Sequence, residues 1–226
     1  MEGLGTKVYI ASIKNLEDEQ VFQSLYQTVS KERQKKIDRL RFLKDKRLSL
    51  AAEVLLRKAL KLNGIDDFTL EVDENGKPYL KGISGLKFNL SHSEERVMCV
   101  ISEKEVGCDV EWMKKTNYKM AEYFLTKEEI TMLNRLNSEE EKQAMFYRFW
   151  TLKESFMKAV GLGMKIPLKD FWFSFEEDTI LVHQNINQKT YYMKEYDLKD
   201  GYRYAVCSLS PKIDEIVELN LQEYEL

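Results

Sequence analysis

The stretch Leu48–Leu62, LSLAAEVLLRKALKL, is followed by Asn63-Gly64 and predicts a long helix with one buried face. Its apolar residues recur every three or four positions, at Leu48, Ala52, Leu55, Ala59 and Leu62. The glycine just past the last turn accommodates the left-handed conformation that ends many helices. A second long helix is predicted from about Glu141 to Val160, and it ends near Gly161-Leu162-Gly163.

A shorter charged helix is predicted before each long one. The first begins at Ser30-Lys31-Glu32, and the second begins at Thr126, whose spacing to Glu129 is that of a capping box. Strands are predicted after each long helix, at Phe68–Val72, Gly85–Leu90 and Arg96–Ile101, and then at Phe171–Phe175, Thr179–Val182, Thr190–Leu198 and Arg203–Leu209. The repeated order predicts an α+β protein of two similar lobes, residues 1–105 and 106–226.

Composition excludes several classes of protein. The 226 residues carry 35 basic and 38 acidic side chains, a net charge of −3, and 43% are hydrophobic. A chain of this length buries a sizeable core, and its apolar runs are too short for a transmembrane helix. The first residues lack a signal-peptide pattern, and three separated cysteines form neither a disulfide framework nor a CxxC metal site. We expect a cytoplasmic protein that spans no membrane.

Basic residues are concentrated between Lys31 and Lys61, where 12 lysines and arginines stand against four acidic residues. Such a surplus attracts phosphates or acidic partners, and a solvated helix face is the alternative explanation. The near-neutral total charge argues against nucleic acid as the partner.

Two carboxylates are predicted on one face of a strand in the stretch Val106–Trp112, VGCDVEW. Side chains two apart in a strand point to the same side, so Asp109 and Glu111 project together. Two adjacent carboxylates repel each other unless a proton or a cation lies between them, and oxygen ligands favour a hard cation such as Mg²⁺ or Mn²⁺. An exposed polar strand face is the alternative.

A second charged group is predicted on the long helix, in the stretch Phe146–Lys158, FYRFWTLKESFMK. Glu154 and Lys158 are four apart and lie on one face, and Lys153 lies in the adjacent row. Charged groups among so many aromatic residues need a partner. One interpretation is a set of salt bridges on a half-buried helix. The other makes Glu154 a third metal carboxylate, with Lys153 and Lys158 facing phosphate oxygens.

A third group of polar residues is divided between Gly76-Lys77-Pro78 and Phe88–Ser93, FNLSHS. The first stretch is a turn that leads into a strand, and the second is a strand that ends in a polar corner containing His92. A lone histidine of this kind is more often structural than catalytic. Gly161-Leu162-Gly163 follows a helix and does not open one, so it is not a phosphate-binding loop.

Together these blocks resemble the Sfp-type (surfactin-synthetase-activating type) 4′-phosphopantetheinyl transferases, in order and in spacing and over nearly the whole chain. The matching stretches are Gly76-Lys77-Pro78, Phe88–Ser93, Val106–Glu111 and Phe149–Lys158. The resemblance implies a monomer with the 4′-phosphopantetheinyl transferase fold, in which two α+β lobes are related by a pseudo-twofold axis and coenzyme A binds between them.

The implied activity is that of the holo-[acyl-carrier-protein] synthase class. Such an enzyme transfers the 4′-phosphopantetheine arm of coenzyme A to a serine of an apo acyl or peptidyl carrier protein and releases 3′,5′-ADP. The implied metal is Mg²⁺, with Mn²⁺ as the alternative. Asp109, Glu111 and Glu154 match its ligands, and Glu154 or a metal-bound water is the expected base.

The remaining residues match the coenzyme site. The resemblance implies that Lys158 and its companion Lys153 contact the pyrophosphate. It implies that Lys77 and Pro78 lie near the adenine, and that Ser91 and His92 contact the phosphates. For the 3′-phosphate, Arg33 and Lys36 fill the basic positions of the first charged helix. The next helix departs from the family pattern Asp-x-x-Arg, because Asp45-Lys46-Arg47 brings the arginine one place early. Arg47 then reaches the phosphate from a shifted register, or Lys46 substitutes.

Two rival functions remain at this point. One is a coenzyme A-dependent acyltransferase, which would need no metal, and the other is a noncatalytic protein that binds acidic partners through its basic helices. The sequence leaves the carrier protein and the tolerance of acyl-coenzyme A undecided. For the carrier we expect the basic stretch to act with an apolar patch in Tyr118–Leu125 that includes Tyr123 and Phe124.

Overall fold

The computed structural model describes residues 4–115, 120–177 and 179–222, and it mixes helices with short sheets. The helices are α1 (Glu19–Thr28), α2 (Lys31–Arg39), α3 (Leu43–Leu62), α4 (Ala121–Phe124), α5 (Lys127–Asn134) and α6 (Glu139–Val160). The strands are β1 (Thr6–Ser12), β2 (Leu70–Val72), β3 (Pro78–Leu80), β4 (Lys87–Ser93), β5 (Arg96–Ser102), β6 (Val106–Trp112), β7 (Phe171–Glu176), β8 (Thr179–Gln184), β9 (Tyr192–Tyr196), β10 (Tyr202–Ser208) and β11 (Ile213–Glu218). None of the described helices has the length and apolarity to cross a membrane.

Both lobes follow one plan. In the first, β5 lies between β1 and β4 and pairs antiparallel with both; in the second, β10 lies between β6 and β9 in the same way. Each lobe also has a separate hairpin, β2–β3 or β7–β8, directly after its long helix. The predicted α+β fold of two similar lobes is confirmed.

The last strand breaks the repetition. β11 leaves the second lobe and pairs parallel with β1, where Val8 lies opposite Ile216 and Ile10 lies opposite Glu218. It therefore covers the outer edge of the first sheet. The boundary between residues 105 and 106 stays a prediction.

Helix ends follow the predicted chemistry. The Ser30 hydroxyl accepts a hydrogen bond from the backbone N–H of Arg33, and Thr126 with Glu129 forms the expected capping box of α5. Ser138 and Glu141 form a second capping box, so α6 begins at Glu139. Because capping satisfies backbone donors that have no partner inside the helix, it fixes where each helix starts.

Alternation along the strands produces three packed interfaces. Tyr9 and Ala11 of β1 face α3, whereas Val8 and Ile10 face the second sheet. On the other side of the second sheet, Ala205 and its neighbours pack against α6. The layers are therefore α3, first sheet, second sheet and α6, with the lobes joined by an apolar core between the sheets.

Candidate active site

The site is built where α6 crosses β6, and Gly107 lets the two backbones come close. A Cβ atom at this position would lie 2.1 Å from the carbonyl oxygen of Ser155 and 2.4 Å from the backbone nitrogen of Ala159. A glycine within a strand commonly marks such an approach of another backbone. The contact fixes α6 against the strand face that carries Asp109 and Glu111.

Asp109 is the most buried carboxylate of this face, with only 3% of its surface exposed. Its Oδ1 accepts hydrogen bonds from the Ser91 hydroxyl at 2.8 Å and from Lys158 Nζ at 2.7 Å, whereas its buried Oδ2 has no hydrogen-bond partner. Burial raises the pKa of Asp109 to about 6 against the opposing effect of the Lys158 charge. The unpartnered oxygen is therefore available to a cation.

Lys158 extends from α6 to the same point. Besides Asp109, its ammonium donates to the carbonyl oxygen of Cys108 and to the Ser91 hydroxyl, both at 3.1 Å. Burial on its own would lower the pKa of Lys158, but the charge and hydrogen bond of Asp109 outweigh it and the pKa is raised. Lys158 therefore carries a permanent positive charge at the floor of the site.

Glu111 is held at both oxygens. The Ser93 hydroxyl donates to Oε2 at 2.8 Å, and the indole N–H of Trp150 donates to Oε1 at 3.3 Å. Trp150 in turn packs edge-on against Phe124 of α4, with 5.0 Å between the ring centroids. The orientation of this carboxylate is thus set by β4 and α6 together.

Glu154 is half-buried one turn before Lys158, and within the described residues it has no hydrogen-bond or ion-pair partner. Burial and the negative charge of Glu111 raise its pKa, against the effect of Lys158. In the part of the chain that the structure describes, no three His, Cys, Asp or Glu side chains converge closely enough to hold a metal. The three predicted ligands therefore lie at one strand–helix junction, but in this structure they do not stand close enough together to bind one metal ion.

The residues still suit a hard divalent cation. Asp109 Oδ2 is a buried oxygen without a partner, and Glu154 is a half-buried carboxylate in the same state. Both have a raised pKa, because burial of each carboxylate is only partly offset by Lys158. A cation would offset the remainder, and oxygen-only ligands favour Mg²⁺ or Mn²⁺.

His92 lies beside this cluster and is exposed. Partial desolvation of the imidazole lowers its pKa, and the nearby positive charges of Lys158 and Lys36 lower it further. The negative charge of Asp45 raises it. Lys36 is exposed on α2, so its predicted position near a phosphate is compatible with this geometry. Lys44, which sequence reasoning missed, also lies here and pairs with Glu94.

Lys77 and Pro78 lie at the turn into β3, close to the end of α6. The ammonium of Lys77 donates to Glu105 at 3.1 Å and to the carbonyl oxygen of Val106 at 3.4 Å. Its side chain also passes over Gly161, 3.5 Å from the position of an added Cβ. The turn therefore borders the strand–helix junction, and the contact of Lys77 and Pro78 with the adenine stays a prediction.

Arg33 and Arg47 are engaged elsewhere in this structure. The guanidinium of Arg33 donates to the buried Glu53 carboxylate at 2.8 Å, so Arg33 serves to neutralise that carboxylate. Arg47 points toward Glu17, 3.9 Å away, on the α1 side of α3. The contacts of Arg33 and Arg47 with the 3′-phosphate stay predictions.

Lys153 requires a correction. Its ammonium is fully buried, 3.0 Å from Glu129 Oε2, and it donates to the carbonyl oxygens of Leu168 and Phe171. Every donor is directed into the second lobe, away from Asp109 and Lys158. The expectation that Lys153 faces a phosphate is not met, since burying a charge requires a buried counter-charge and Glu129 supplies it.

Sequence reasoning missed the supporting residues Ser93, Gly107 and Trp150. For two of them a signal was present. A glycine in a strand indicates a close backbone approach, and polar residues two apart in Asn89-x-Ser91-x-Ser93 indicate a polar strand face. The indole bond of Trp150 to Glu111 had no such signal.

Comparisons with known proteins find similar chains over most of the length of this one. Two family models match the chain, one described as "4'-phosphopantetheinyl transferase, N-terminal" over residues 17–105 and one described as "4'-phosphopantetheinyl transferase superfamily" over residues 105–207. The chain is 32% identical to the 4'-phosphopantetheinyl transferase gsp of Aneurinibacillus migulanus, over 97% of this chain and 93% of that protein. It is 30% identical to psf-1 of Bacillus pumilus, over 94% of each chain, and 28% identical to Sfp of Bacillus subtilis, over 96% of each.

Proposed function

Because the chain belongs to the 4′-phosphopantetheinyl transferase family, we propose that it transfers the 4′-phosphopantetheine arm of coenzyme A to a serine of an acyl or peptidyl carrier protein. The second product is 3′,5′-ADP, and the finer class is holo-[acyl-carrier-protein] synthase. The observation that supports this most is the ion pair of the buried Asp109 with the half-buried Lys158, 2.7 Å apart, beside the carboxylates of Glu111 and Glu154.

We assign the metal ligands to Asp109, Glu111 and Glu154, with Mg²⁺ as the ion. When bound, the ion supplies positive charge for the pyrophosphate oxygens of coenzyme A. Asp109 offers Oδ2, since its Oδ1 is already occupied by Ser91 and Lys158. Ser93 and Trp150 hold Glu111 in place without occupying every lone pair of its oxygens.

Lys158 stabilises the leaving group. In phosphoryl transfer, negative charge grows on the departing oxygen, and catalysis consists mainly of positioning and electrostatic stabilisation. The raised pKa of Lys158 keeps its ammonium charged throughout. The proposed contacts of the coenzyme lie around the same junction. They are Lys36, Lys77, Pro78, Ser91 and His92.

Glu154 is the proposed general base for the serine hydroxyl. It has no hydrogen-bond partner among the described residues, and its pKa is raised by burial and by Glu111. A carboxylate without a partner can accept a proton from a hydroxyl placed within hydrogen-bond distance. It also stands on the same helix face as Lys158, one turn apart, so that base and leaving-group charge are held by one rigid element.

The carrier protein docks, in this proposal, on the surface formed by Arg41, Phe42, Leu43 and Lys44, here called the basic apolar surface. Phe42 and Leu43 are 61% and 66% exposed at the start of α3, and Lys44 pairs with Glu94 beside the His92 corner. The resemblance implies an acidic partner whose serine opens a helix. Exposed apolar side chains among basic ones suit such a partner.

The earlier expectation for docking needs correction in part. Phe124 is 3% exposed and packs against Phe146 and Trp150, so it offers no surface. Tyr123 is 80% exposed and remains available to a partner. Tyr118 lies outside the described residues.

One experiment tests the function directly. The protein is mixed with coenzyme A, Mg²⁺ and an apo acyl or an apo peptidyl carrier, and intact mass spectrometry shows whether each carrier gains a phosphopantetheine arm. Glu111→Gln serves as the matched control, because it keeps the shape of the side chain and removes its charge. Transfer that persists in EDTA, or in Glu111→Gln at the wild-type rate, would exclude the metal mechanism, whereas a carrier that gains no phosphopantetheine arm would exclude the transferase function. The monomeric state and the choice of Mg²⁺ over Mn²⁺ stay predictions.

A further inference from the structure

The outer edges of β4 and β6 face each other, and the backbone N–H groups of β6 donate to side chains of β4 and not to its carbonyl oxygens. Three alternate residues of β4 accept hydrogen bonds from three alternate backbone N–H groups of β6. The pairs are Asn89 Oδ1 with Cys108 at 3.0 Å, Ser91 Oγ with Val110 at 3.4 Å, and Ser93 Oγ with Trp112 at 3.2 Å. Side chains on one face of β4 and backbone N–H groups on one edge of β6 both recur every two residues, so the three donor–acceptor pairs stay aligned along the two strands.

These bonds determine where the serine hydroxyl protons point. A hydroxyl has one proton to donate and two lone pairs to accept with. Since Ser93 Oγ accepts from the Trp112 N–H, its own proton is free for Glu111 Oε2, which lies 2.8 Å away. The hydroxyl is thus oriented by the backbone of the strand that carries its carboxylate partner.

Glu111 is thereby fixed from two sides. The Ser93 hydroxyl holds Oε2 from the first lobe, and the Trp150 indole holds Oε1 from α6. Hydrogen-bond donors of this kind stabilise the anionic carboxylate and restrict its rotation. Restriction matters for a metal ligand, because partners outside the coordination sphere orient the ligands within it.

We infer that Ser93 is a positioning residue that orients Glu111 for the divalent cation and thereby sets the cation affinity. The inference rests on the proposed function, since it takes Glu111 as a ligand. Asn89 provides the comparison within the same row of bonds. It makes the same kind of contact to the β6 backbone, but its side chain touches neither carboxylate.

The test measures cation binding separately from catalysis. Mn²⁺ binding to the purified full-length protein is followed by the electron paramagnetic resonance signal of free Mn²⁺, for wild type, Ser93→Ala, Ser93→Thr and Asn89→Ala. Loss of an outer partner of a metal ligand typically weakens affinity by about 10- to 100-fold. We expect a loss of at least about 10-fold in Ser93→Ala, recovery to near wild type in Ser93→Thr, and little change in Asn89→Ala despite a lower melting temperature.

The outcomes separate this inference from the proposed function. If wild type binds Mn²⁺ and Glu111→Gln does not, the metal site stands; wild-type affinity in Ser93→Ala would then overturn the positioning role alone. Equal losses in Ser93→Ala and Asn89→Ala would overturn it too, because strand spacing would be the cause. If wild type and Glu111→Gln bind Mn²⁺ equally, the proposed metal site itself is wrong. Steady-state transfer at saturating coenzyme A provides a second measure: the Mg²⁺ concentration for half-maximal rate is expected to rise in Ser93→Ala.

Discussion

Replacing Gly107 by alanine tests the close contact on which the site is built. The new methyl group would lie 2.1 Å from Ser155 O, 2.4 Å from Ala159 N and 2.9 Å from the Lys158 carbonyl carbon. All three are backbone atoms of α6, so no side-chain rotation relieves the overlap. The helix as a whole has to move away from β6.

The loss of folding free energy in Gly107→Ala follows from the rigidity of the three backbone atoms that the new methyl group meets. Overpacking a core typically costs about 1–3 kcal/mol, and the upper end applies where the atoms cannot rotate away. For a protein of this size each kcal/mol lowers the melting temperature by about 2–4 °C, so about 3 kcal/mol corresponds to about 6–12 °C. We also expect the transfer rate of the folded variant to fall, because a misplacement of about 1 Å in a catalytic group costs on the order of 100-fold in rate.

The assay combines thermal unfolding with carrier modification measured by mass spectrometry under conditions where each variant is folded. Gly82→Ala is the matched control: its added Cβ meets nothing within 4 Å, and its φ of +74° leaves only backbone strain, about 1–2 kcal/mol. We expect Gly107→Ala to lose both stability and rate, and Gly82→Ala to lose some stability only. Equal melting temperatures for the two variants, or full activity in Gly107→Ala, would refute the close-contact argument.

Three further changes test other parts of the site. Lys158→Met should lower the transfer rate by about 100- to 1000-fold by removing a charge at the leaving group; the exposed Lys199→Met is the control, and wild-type rates in Lys158→Met would place the lysine outside the chemistry. Glu129→Gln should destabilise the fold by about 3–5 kcal/mol, because Lys153 would stay buried without its counter-charge. Glu129→Leu with Lys153→Met should recover most of that stability in urea unfolding and keep the transfer activity; a folded but inactive double variant would show that Lys153 acts on substrate after all. Phe42→Asp with Leu43→Asp should raise KM for the carrier by about 10-fold, as expected for apolar contacts at the centre of an interface, and leave KM for coenzyme A unchanged. Leu62→Asp, also on an exposed part of α3, is its control, and an equal effect of the two on carrier KM would exclude the basic apolar surface.

The long helices, most of the strands that follow them and the facing of the carboxylates could be predicted from periodicity, whereas α1, β1 and β11 were not predicted. A strand places residues two apart on one side, which brings Asp109 and Glu111 together, and a helix places residues four apart on one side, which aligns Glu154 with Lys158. Both rules are local, and the structure follows them. Asp109 and Lys158 are 49 positions apart, and the sequence showed only that each needs a partner.

The partner of Lys153 could not be predicted from helix periodicity. Lys153 neighbours Glu154 in the chain, and a charged residue beside a predicted ligand suggests a charged substrate. Its actual partner, Glu129, belongs to a different helix and also caps that helix at Thr126. Whether a lysine points to solvent, to a ligand or to a buried carboxylate depends on how α5 packs on α6, and periodicity within one helix contains no information about that packing.

The duplication of the lobes explains why the site occurs at β6 and not at its counterpart β1. Both strands lie at the edge of a three-stranded repeat and turn one face toward a long helix. In the first lobe that face carries Tyr9 and Ala11, which are buried in apolar contacts, and β11 covers the outer edge with backbone hydrogen bonds. In the second lobe the same face carries carboxylates, and the outer edge meets β4, another open edge. Two unpaired edges need hydrogen-bond partners, and polar side chains supply them here. Two of the three polar groups that satisfy the backbone of β6, those of Ser91 and Ser93, also hold its carboxylates, so edge pairing and site construction depend largely on the same residues.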